Sequence, residues 1–292
     1  MGCLEVMIYV RAEWRKIQVL LFCKRFNGVD GIRMKEQLLL LLRVSKPEYN
    51  STLYKDYKLY MNDQFLYKKV GLSKGQYDEK EGMIANDNIK LLYSADDRKT
   101  WKELPGIHSL HKNDNAYIYC MYGVKYDPAN YRPETNTYYH FIPWEYIKDF
   151  WQESSLEMII VKNTSVFIQA FKEAALQRND NYAYGKVHYD LDEKMDDITY
   201  FGKALKNHFE SVFHKQKNPY EIQNEIRFAI VDQKQPSFIE LQLDKKNELC
   251  FDIVPLEKGK GILIELNNLE FNQDKTFPVR FSSKIQYYVP EE

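Results

Sequence analysis

The sequence lacks the features that most quickly place a protein in a structural class. Its four cysteines, Cys3, Cys23, Cys120 and Cys250, are far apart and form no C-x-x-C pair, which indicates neither a zinc site nor a disulfide framework. No apolar run reaches the ~18 residues that a membrane-spanning helix needs. The formal net charge is −1, so bulk charge alone would not hold the chain to nucleic acid or to an anionic membrane. These absences predict a protein of the reducing cytoplasm that does not enter the membrane.

Several common ligand-binding motifs are also missing. The chain has no G-x-G-x-x-G, no P-loop, no G-x-S-x-G and no internal repeat. Aromatic residues are abundant instead, with 23 Tyr and 16 Phe, which suits both a β-rich fold and base stacking. The predicted strands and short helices are interspersed without a regular βαβ rhythm. We therefore expect an α+β fold with a mixed, mostly antiparallel β core and short helices.

The first 33 residues differ from the rest of the chain. They mix apolar residues with Arg and Lys and show no clean capping pattern, whereas a clear apolar run at 38–42 follows soon after Met34. We expect residues 1–33 to form an N-terminal extension outside the core and residues 34–292 to form a single α+β domain. An ordinary amphipathic first strand and helix is the alternative.

The stretch 218–231 carries the most specific candidate site. Its second half alternates in the manner of a strand, and Gln223 and Glu225 stand two positions apart just before it. Residues i and i+2 of a strand share a face, so an amide and a carboxylate would lie side by side. The amide can orient a sugar or an attacking group, and the carboxylate can stabilise a developing positive charge. The alternative is an edge strand whose polar face is simply hydrated.

An arginine near the end of an early strand is the second candidate. Segment 38–44 is apolar except for Arg43 and predicts a buried strand. A buried guanidinium is costly unless an anionic group meets it, and that group could be a ligand or an internal carboxylate. Farther along, segment 117–124 predicts the central strand, and Asn163-Thr164-Ser165 predicts the cap of a helix that ends near Gln177.

The histidines give weaker signals. His108 and His111 precede the central strand with Asp114 nearby, but H-x-x-H without a third defined ligand predicts no metal site. His188 lies in a predicted strand, where a single histidine is usually structural. The Pro/Asn-rich segment 127–136 is predicted to be a hinge or a mobile lid.

These elements together carry a family resemblance. They are Arg43, the Leu-Tyr-Met-Asn strand 59–62, the acidic turn 75–82, the strand 119–122, and the late segment 223–228. The set resembles a broad group of uncharacterised bacterial and phage-associated proteins, whose hallmarks are an acidic D-x-x-E-G turn and a late Q-x-E-x-R strand. The resemblance spans residues 38–231.

A more distant resemblance is to ADP-ribosyltransferases of the Arg–Ser–Glu type. These enzymes carry an arginine on the first core strand, a Ser-Thr-Ser-like segment midway and a Q-x-E or E-x-E pair on a late strand. Arg43 and the Gln223/Glu225 pair match the two outer elements. The middle element is met only in part, since the nearest segment, Asn163-Thr164-Ser165, stands where a helix cap is expected.

The resemblance implies an ADP-ribosyltransferase-like fold and a site that consumes NAD as a substrate. Glu225 would hold the nicotinamide ribose and act catalytically, and Gln223 would position the acceptor. Arg43 would pair with the NAD pyrophosphate. Tyrosines of strand 117–122, Tyr119 among them, would stack on nicotinamide. The implied cofactor-binding set is completed by Asn62, Asp78, Glu81 and Arg227.

The resemblance also implies a biological setting, namely a toxin or an antiviral defence effector. The acceptor would be a protein side chain or a nucleic-acid base, and an antitoxin or other regulatory partner would control the activity. Two other hypotheses stay open. One is a non-enzymatic binding or sensor protein that recognises a phage protein or nucleic acid through tyrosines. The other is a metal-independent nuclease that uses His108, His111 or His188 as general acid or base.

Overall fold

A computed structural model describes residues 6–10, 17–19, 38–68, 72, 77–86, 89–93, 102–103, 109–111, 115–151, 155–195, 197–207, 209–232, 234, 236–244, 248–274 and 278–288. Its strands, in chain order, are β1 (Val6–Val10), β2 (Ile17–Val19), β3 (Leu38–Ser45), β4 (Lys58–Asp63), β5 (Met83–Asn86), β6 (Ile89–Tyr93), β7 (Lys102–Glu103), β8 (Ser109–His111), β9 (Ala116–Lys125), β10 (Tyr131–Arg132), β11 (Thr137–Ile142), β12 (Glu157–Val161), β13 (Asn181–Lys186), β14 (Glu225–Val231), β15 (Phe238–Gln242), β16 (Phe251–Pro255), β17 (Gly261–Phe271) and β18 (Pro278–Tyr288). The α-helices are α1 (Pro47–Tyr54), α2 (Trp144–Lys148), α3 (Thr164–Gln177), α4 (Leu191–Lys194) and α5 (Ile198–Lys206). Short 3-10 helices span Gln64–Lys68, Pro128–Asn130, Glu210–Phe213 and Glu221–Gln223.

The largest sheet has the strand order β13-β14-β9-β3-β12-β16, and its strand pairs are antiparallel. Strand β4 branches from β9 and carries β15. The predicted α+β class, with a mostly antiparallel β core and short helices, is confirmed. Segments 38–44 and 117–124, predicted as a buried and a central strand, lie within β3 and β9 at the middle of this sheet.

Strands β3, β12 and β14 are buried along nearly their whole length. Both faces of the sheet are covered, which explains why β3 and β12 read as nearly continuous apolar runs rather than as an alternating pattern. One face packs against α3, whose buried side chains Phe167, Ala170, Phe171 and Ala174 recur at helical spacing. The helix predicted to end near Gln177 is therefore confirmed.

The start of α3 differs from the prediction in one respect. Asn163 precedes the helix, but its side chain makes no capping hydrogen bond and instead donates to the Glu248 carbonyl at 2.8 Å. The Thr164 hydroxyl donates to the Leu38 carbonyl at 2.7 Å. This hydrogen bond links the first turn of the helix to β3.

The other face of the central sheet packs against a second sheet of order β10-β11-β17-β18. Segment 127–136, predicted as a hinge or mobile lid, leads into this sheet. It forms the 3-10 helix Pro128–Asn130 and strand β10, which pairs with β11. The Asn136 side chain donates to the Leu269 carbonyl at 3.3 Å. The segment is thus tied to β17 as well.

The N-terminal strands belong to a third sheet, of order β2-β1-β6-β7, in which β1 pairs with both β2 and β6. Part of the segment predicted as an N-terminal extension therefore has partners at residues 89–93. Strands β5 and β8 form a separate antiparallel pair. Among the described residues, no helix combines the length and apolar character needed to cross a bilayer.

Candidate functional site

A cleft opens where β3, β9 and β14 lie side by side, and we call it the charged cleft. It encloses about 610 Å³ of empty space, including its open mouth. Its described lining residues are Leu42, Arg43, Val44, Tyr67, Glu81, Cys120, Met121, Tyr122, Tyr146, Phe150, Lys215, Gln223, Glu225 and Arg227.

The cleft exists because β3 separates from β9. The two strands pair only as far as Leu42 opposite Tyr122, and β4 takes up the pairing with β9 at Ile118. Between these points Arg43 Nη1 donates to the Cys120 carbonyl at 3.4 Å. The Arg43 side chain thus satisfies a carbonyl that β3 no longer reaches.

Arg43 approaches the cleft from the side of the sheet opposite to Glu225. Leu42, Tyr122 and Glu225 lie opposite one another across the three strands, so their side chains share one face. Strand alternation turns Arg43 to the other face, where its guanidinium carbon lies 4.0 Å from the centre of the Tyr119 ring. Within the described part of the chain Arg43 has no ion pair. Its contacts are a carbonyl and an aromatic ring rather than an internal carboxylate.

Arg227 is the centre of a buried network of charges on the other wall. Its Nε donates to Glu225 Oε1 at 2.7 Å, and its two terminal nitrogens donate to the two oxygens of Glu81 at 2.6 and 2.8 Å. Nη1 also donates to the Val212 carbonyl. Arg227 and Glu81 are each 1% exposed. A guanidinium this deeply buried is tolerated because carboxylates and a carbonyl accept its donors.

Lys215 joins the second oxygen of Glu225 to the predicted amide. Its Nζ donates to Glu225 Oε2 at 3.1 Å and to Gln223 Oε1 at 3.3 Å. It also lies 3.9 Å from Asp78 Oδ2 and 4.6 Å from the centre of the Tyr220 ring. Both carboxylate oxygens of Glu225 therefore have a cationic partner.

The pKa values of the two glutamates of the network are shifted in opposite directions. Burial raises the pKa of Glu225, but the charges of Arg227 and Lys215 lower it more, so the carboxylate stays ionised far below neutral pH. Burial raises the pKa of Glu81, and here Arg227 offsets the effect only in part. Neighbouring groups whose environments separate their pKa values are frequent at functional sites.

Neutral aromatic and thiol groups complete the cleft. Tyr122 and Tyr146 pack edge to face with their ring centres 5.1 Å apart. Burial raises the pKa of both tyrosines, so their hydroxyls keep their protons. Burial, followed by the Glu225 charge, raises the pKa of Cys120 well above its ordinary value. Its thiol is thus no ready nucleophile at neutral pH.

The local chain path brings Gln223 and Glu225 together by a route other than the predicted strand. Gln223 ends the 3-10 helix Glu221–Gln223, and strand β14 begins only at Glu225. Asn224 between them has φ +37°, a left-handed conformation that asparagine tolerates. Its side chain donates to the Gly123 carbonyl. A Cβ at Gly123 would lie 2.5 Å from Ile226 Cγ1, so glycine is required for this close approach.

The structure brings five of the eight predicted site residues to the charged cleft. These are Arg43, Glu81, Gln223, Glu225 and Arg227. A sixth residue, Asp78, is fully buried and faces Lys215 at 3.9 Å, as given above.

The two remaining predicted site residues lie elsewhere. Tyr119 lies under Arg43 and belongs to the hydrophobic core on the α3 side. Asn62 lies on β4 between Ile118 and Phe238. The described residues that line the cleft include neither of them, nor any from segment 127–136.

Sequence reasoning missed Lys215 and Tyr189. The Tyr189 hydroxyl accepts a hydrogen bond from the Glu225 backbone N–H at 2.9 Å. Lys215 is positioned by an isolated bridge between His188 and His214, with Lys215 N donating to the His188 carbonyl at 2.9 Å. No local pattern encodes this bridge. A buried acidic pair beside Arg227 is the one signal that could have pointed to a second cation.

The predicted histidine cluster falls mostly outside the described residues. His108 and Asp114 lie outside them, and His111 lies at the end of β8. Among the described residues, no group of three or more His, Cys, Asp or Glu is placed to hold a metal ion.

Comparison with known proteins adds no relative to this geometry. No protein-family model, no curated protein and no solved structure matches the chain.

Proposed function

We propose that the charged cleft binds NAD and transfers its ADP-ribose to a macromolecule, in the manner of an ADP-ribosyltransferase. The observation that carries the proposal is Glu225, an ionised carboxylate on the wall of a cleft that Arg43 also lines, although Arg43 reaches it from the opposite face of the sheet. These residues lie far apart in sequence, and the resemblance to ADP-ribosyltransferases requires them to share one cleft. An ionised, oriented carboxylate is the group that stabilises a positive charge on a ribose carbon.

The reaction assigns one role to each wall. The bond between nicotinamide nitrogen and ribose C1′ breaks, nicotinamide leaves with the electron pair, and positive charge develops on the ribose. Glu225 stabilises that charge, while Arg227 and Lys215 fix its carboxylate in place. The acceptor then bonds to C1′ and loses its proton to solvent. Gln223, which shares Lys215 with Glu225, orients the acceptor.

The rest of the cleft suits the remainder of the NAD molecule. The Arg43 guanidinium pairs with the pyrophosphate, since a planar cation binds phosphate oxygens in a bidentate way. The stacking role expected of strand 117–122 passes from Tyr119 to Tyr122 and Tyr146, because these rings line the cleft.

A second candidate function is binding without catalysis. One observation favours it: both oxygens of Glu225 already have cationic partners, which occupies the carboxylate that the transferase must use. On this alternative the charged cluster is structural, and the protein recognises a phage protein or nucleic acid through its tyrosines.

The decisive experiment is NAD turnover by the purified protein, with labelled NAD and total cell extract as acceptor. Glu225→Gln keeps the shape of the side chain and removes its charge, and we expect it to lower turnover at least about 100-fold. Glu157→Gln is the matched control, because Glu157 is a similarly buried carboxyl on β12 that does not line the cleft. Equal turnover in wild type and folded Glu225→Gln would refute the transferase. No turnover by wild-type protein would favour the binding function.

The proposed setting follows from the resemblance to ADP-ribosyltransferases and not from the chemistry of the cleft. A transferase of this kind acts as a toxin or antiviral defence effector on a protein or nucleic-acid acceptor, with an antitoxin or regulatory partner. The cytoplasm is the proposed location, which agrees with the free thiols of Cys120 and Cys250.

A further inference from the structure

A second cleft, which we call the histidine cleft, is lined by Phe213 and His214, the two residues that precede Lys215 of the charged cleft. It encloses about 680 Å³ of empty space, including its mouth. His188 and His214 line it together with Asp190, Lys194, Tyr200 and Lys203. None of these residues lines the charged cleft.

The two histidines are held as a stacked pair. Their ring centres are 5.4 Å apart with an angle of 30° between the ring planes. The backbone fixes this spacing, because His188 N donates to the Phe213 carbonyl at 2.8 Å and the two residues form a β-bridge. The Tyr200 ring packs edge-on against His214 with centres 5.0 Å apart, and its hydroxyl donates to the Met83 carbonyl.

Asp190 orients one ring of the pair. Its Oδ1 lies 2.6 Å from His214 Nδ1, a hydrogen bond that assigns a proton to Nδ1 and leaves Nε2 for other chemistry. His188 is the more exposed partner. Partial burial, followed by the neighbouring His214, lowers the pKa of His188, so its imidazole is neutral and can accept a proton near neutral pH. One oriented ring and one neutral ring are the components of a general acid–base pair.

The carboxylates of the cleft already have partners. Asp190 holds His214, and Asp197 accepts from Thr199 N at 2.7 Å and lies 3.9 Å from Lys194 Nζ. Glu210 Oε1 lies 3.9 Å from His214 Nε2. Lys203 is exposed at the rim. An entering anion therefore meets Lys203 and the imidazoles, the groups from which a phosphate can gain most.

We propose that the histidine cleft cleaves phosphodiesters that carry a neighbouring hydroxyl, as in RNA, without a metal ion. His188 takes the proton of the 2′-hydroxyl, and the 2′-oxygen forms a bond to phosphorus. The bond from phosphorus to the 5′-oxygen breaks, and protonated His214 gives its Nε2 proton to that oxygen. The products are a 2′,3′-cyclic phosphate and a 5′-hydroxyl. Lys203 balances the charge of the phosphate, and solvent resets the two rings.

The test is cleavage of an end-labelled single-stranded RNA in EDTA, with the products identified by mass spectrometry. We expect a 2′,3′-cyclic phosphate product from wild type, and at least about a 100-fold lower rate for His214→Ala and for His188→Ala. An oligonucleotide with one 2′-deoxy residue at the cleaved position should resist cleavage there. The unfolding midpoint of each variant establishes that it is folded.

Lysine variants keep the test valid even where a histidine variant fails to fold. Lys203→Ala changes only an exposed rim residue and should lower the cleavage rate severalfold. Lys258→Ala removes an exposed lysine outside the cleft and should leave the rate unchanged. The proposal is overturned by a wild type that forms no cyclic phosphate, or by cleavage that persists in both histidine variants. NAD turnover plays no part in this assay, so each proposal can fail alone.

Discussion

Two successive residues, His214 and Lys215, line different clefts, and the charged side chains of the two clefts differ in burial. In the charged cleft Glu81, Lys215, Glu225 and Arg227 are nearly inaccessible to water, with Lys215 4% and Glu225 5% exposed. Each of these charges is met by another charge of the protein. In the histidine cleft His188 is exposed and Lys194 and Asp197 are 3.9 Å apart. The buried charges of the charged cleft are held by protein partners, whereas the exposed side chains of the histidine cleft can contact an entering ligand.

The loss of an ion pair should lower the free energy of unfolding by different amounts in the two clefts. Removing one partner of a buried pair leaves an uncompensated charge in a medium of low polarity, which typically costs about 3–5 kcal/mol. Removing one partner of an exposed pair returns the other to water, which costs about 0.2–1 kcal/mol. Variants of the two clefts should therefore separate into two classes of stability.

The largest expected effect is that of Arg227→Met. The change removes a cation that binds both Glu81 and Glu225, and the Met side chain fills part of the space. We expect the free energy of unfolding to fall by about 3–5 kcal/mol in urea titrations.

Arg178→Met is the matched control for this variant. Arg178 also bridges two carboxylates, Asp180 and Asp232, but its side chain is 38% exposed. Its loss should lower the free energy of unfolding by less than about 1 kcal/mol. Equal losses in the two variants would mean that burial does not separate the two regions.

Acid unfolding should distinguish the two glutamates of the network. The folded-state pKa of Glu225 lies below the unfolded value of about 4.3, so its contribution to stability is present above that pH and is lost as pH falls further. The folded-state pKa of Glu81 is raised, so its contribution is present below the unfolded value and is lost as pH rises through the folded one.

The two glutamine variants should therefore change the acid dependence in opposite senses. Between about pH 5 and pH 3, Glu225→Gln should lose less stability than wild type, and Glu81→Gln should lose more. Unfolding midpoints measured across that range check this. Parallel curves for the two variants would contradict the assigned charge states.

The sequence predicted the strands that form the charged cleft but not the contacts among its polar side chains. The apolar run of β3, the aromatic and β-branched residues of β9, the alternation in β14 and the helical spacing in α3 are local signals, and each gave an element close to the observed one. Gln223 and Glu225 do share a partner, but a left-handed Asn224 aligns them rather than strand alternation. The strand alternation that suggested the pair also places Arg43 on the opposite face, which only the register with β9 reveals.

Long-range contacts account for what the sequence did not predict. Lys215 reaches Glu225 because the bridge from His188 to His214 holds the chain beside β14, and no short motif contains both halves of that bridge. The predicted strand around His188 ends at Lys186 in the structure, which frees His188 to stack on His214. His188, which is isolated in the sequence, is thus one member of a stacked histidine pair in the structure.

An intermediate effect is expected for Arg43→Lys. Lysine keeps the charge but lacks the planar guanidinium that stacks on Tyr119 and reaches the Cys120 carbonyl. We expect the free energy of unfolding to fall by about 1 kcal/mol and the KM for NAD to rise. Lys55→Met is the control, since Lys55 lies over the Tyr54 ring at 5.6 Å on an exposed helix end. A change in stability with no change in KM would restrict Arg43 to closing the gap between β3 and β9.

The smallest effect on stability belongs to the histidine cleft. Asp190 is 31% exposed, so Asp190→Asn should lower the free energy of unfolding by less than about 1 kcal/mol. As a positioning residue it acts on His214, so the variant should lower kcat for RNA cleavage while KM stays the same. The nitrogen NMR shifts of His214 should also show a changed tautomer or protonation state. A loss of stability like that of Arg227→Met, or unchanged His214 shifts, would mean that Asp190 is a structural partner like Glu81. The two clefts would then not differ in the way that the burial of their charged groups predicts.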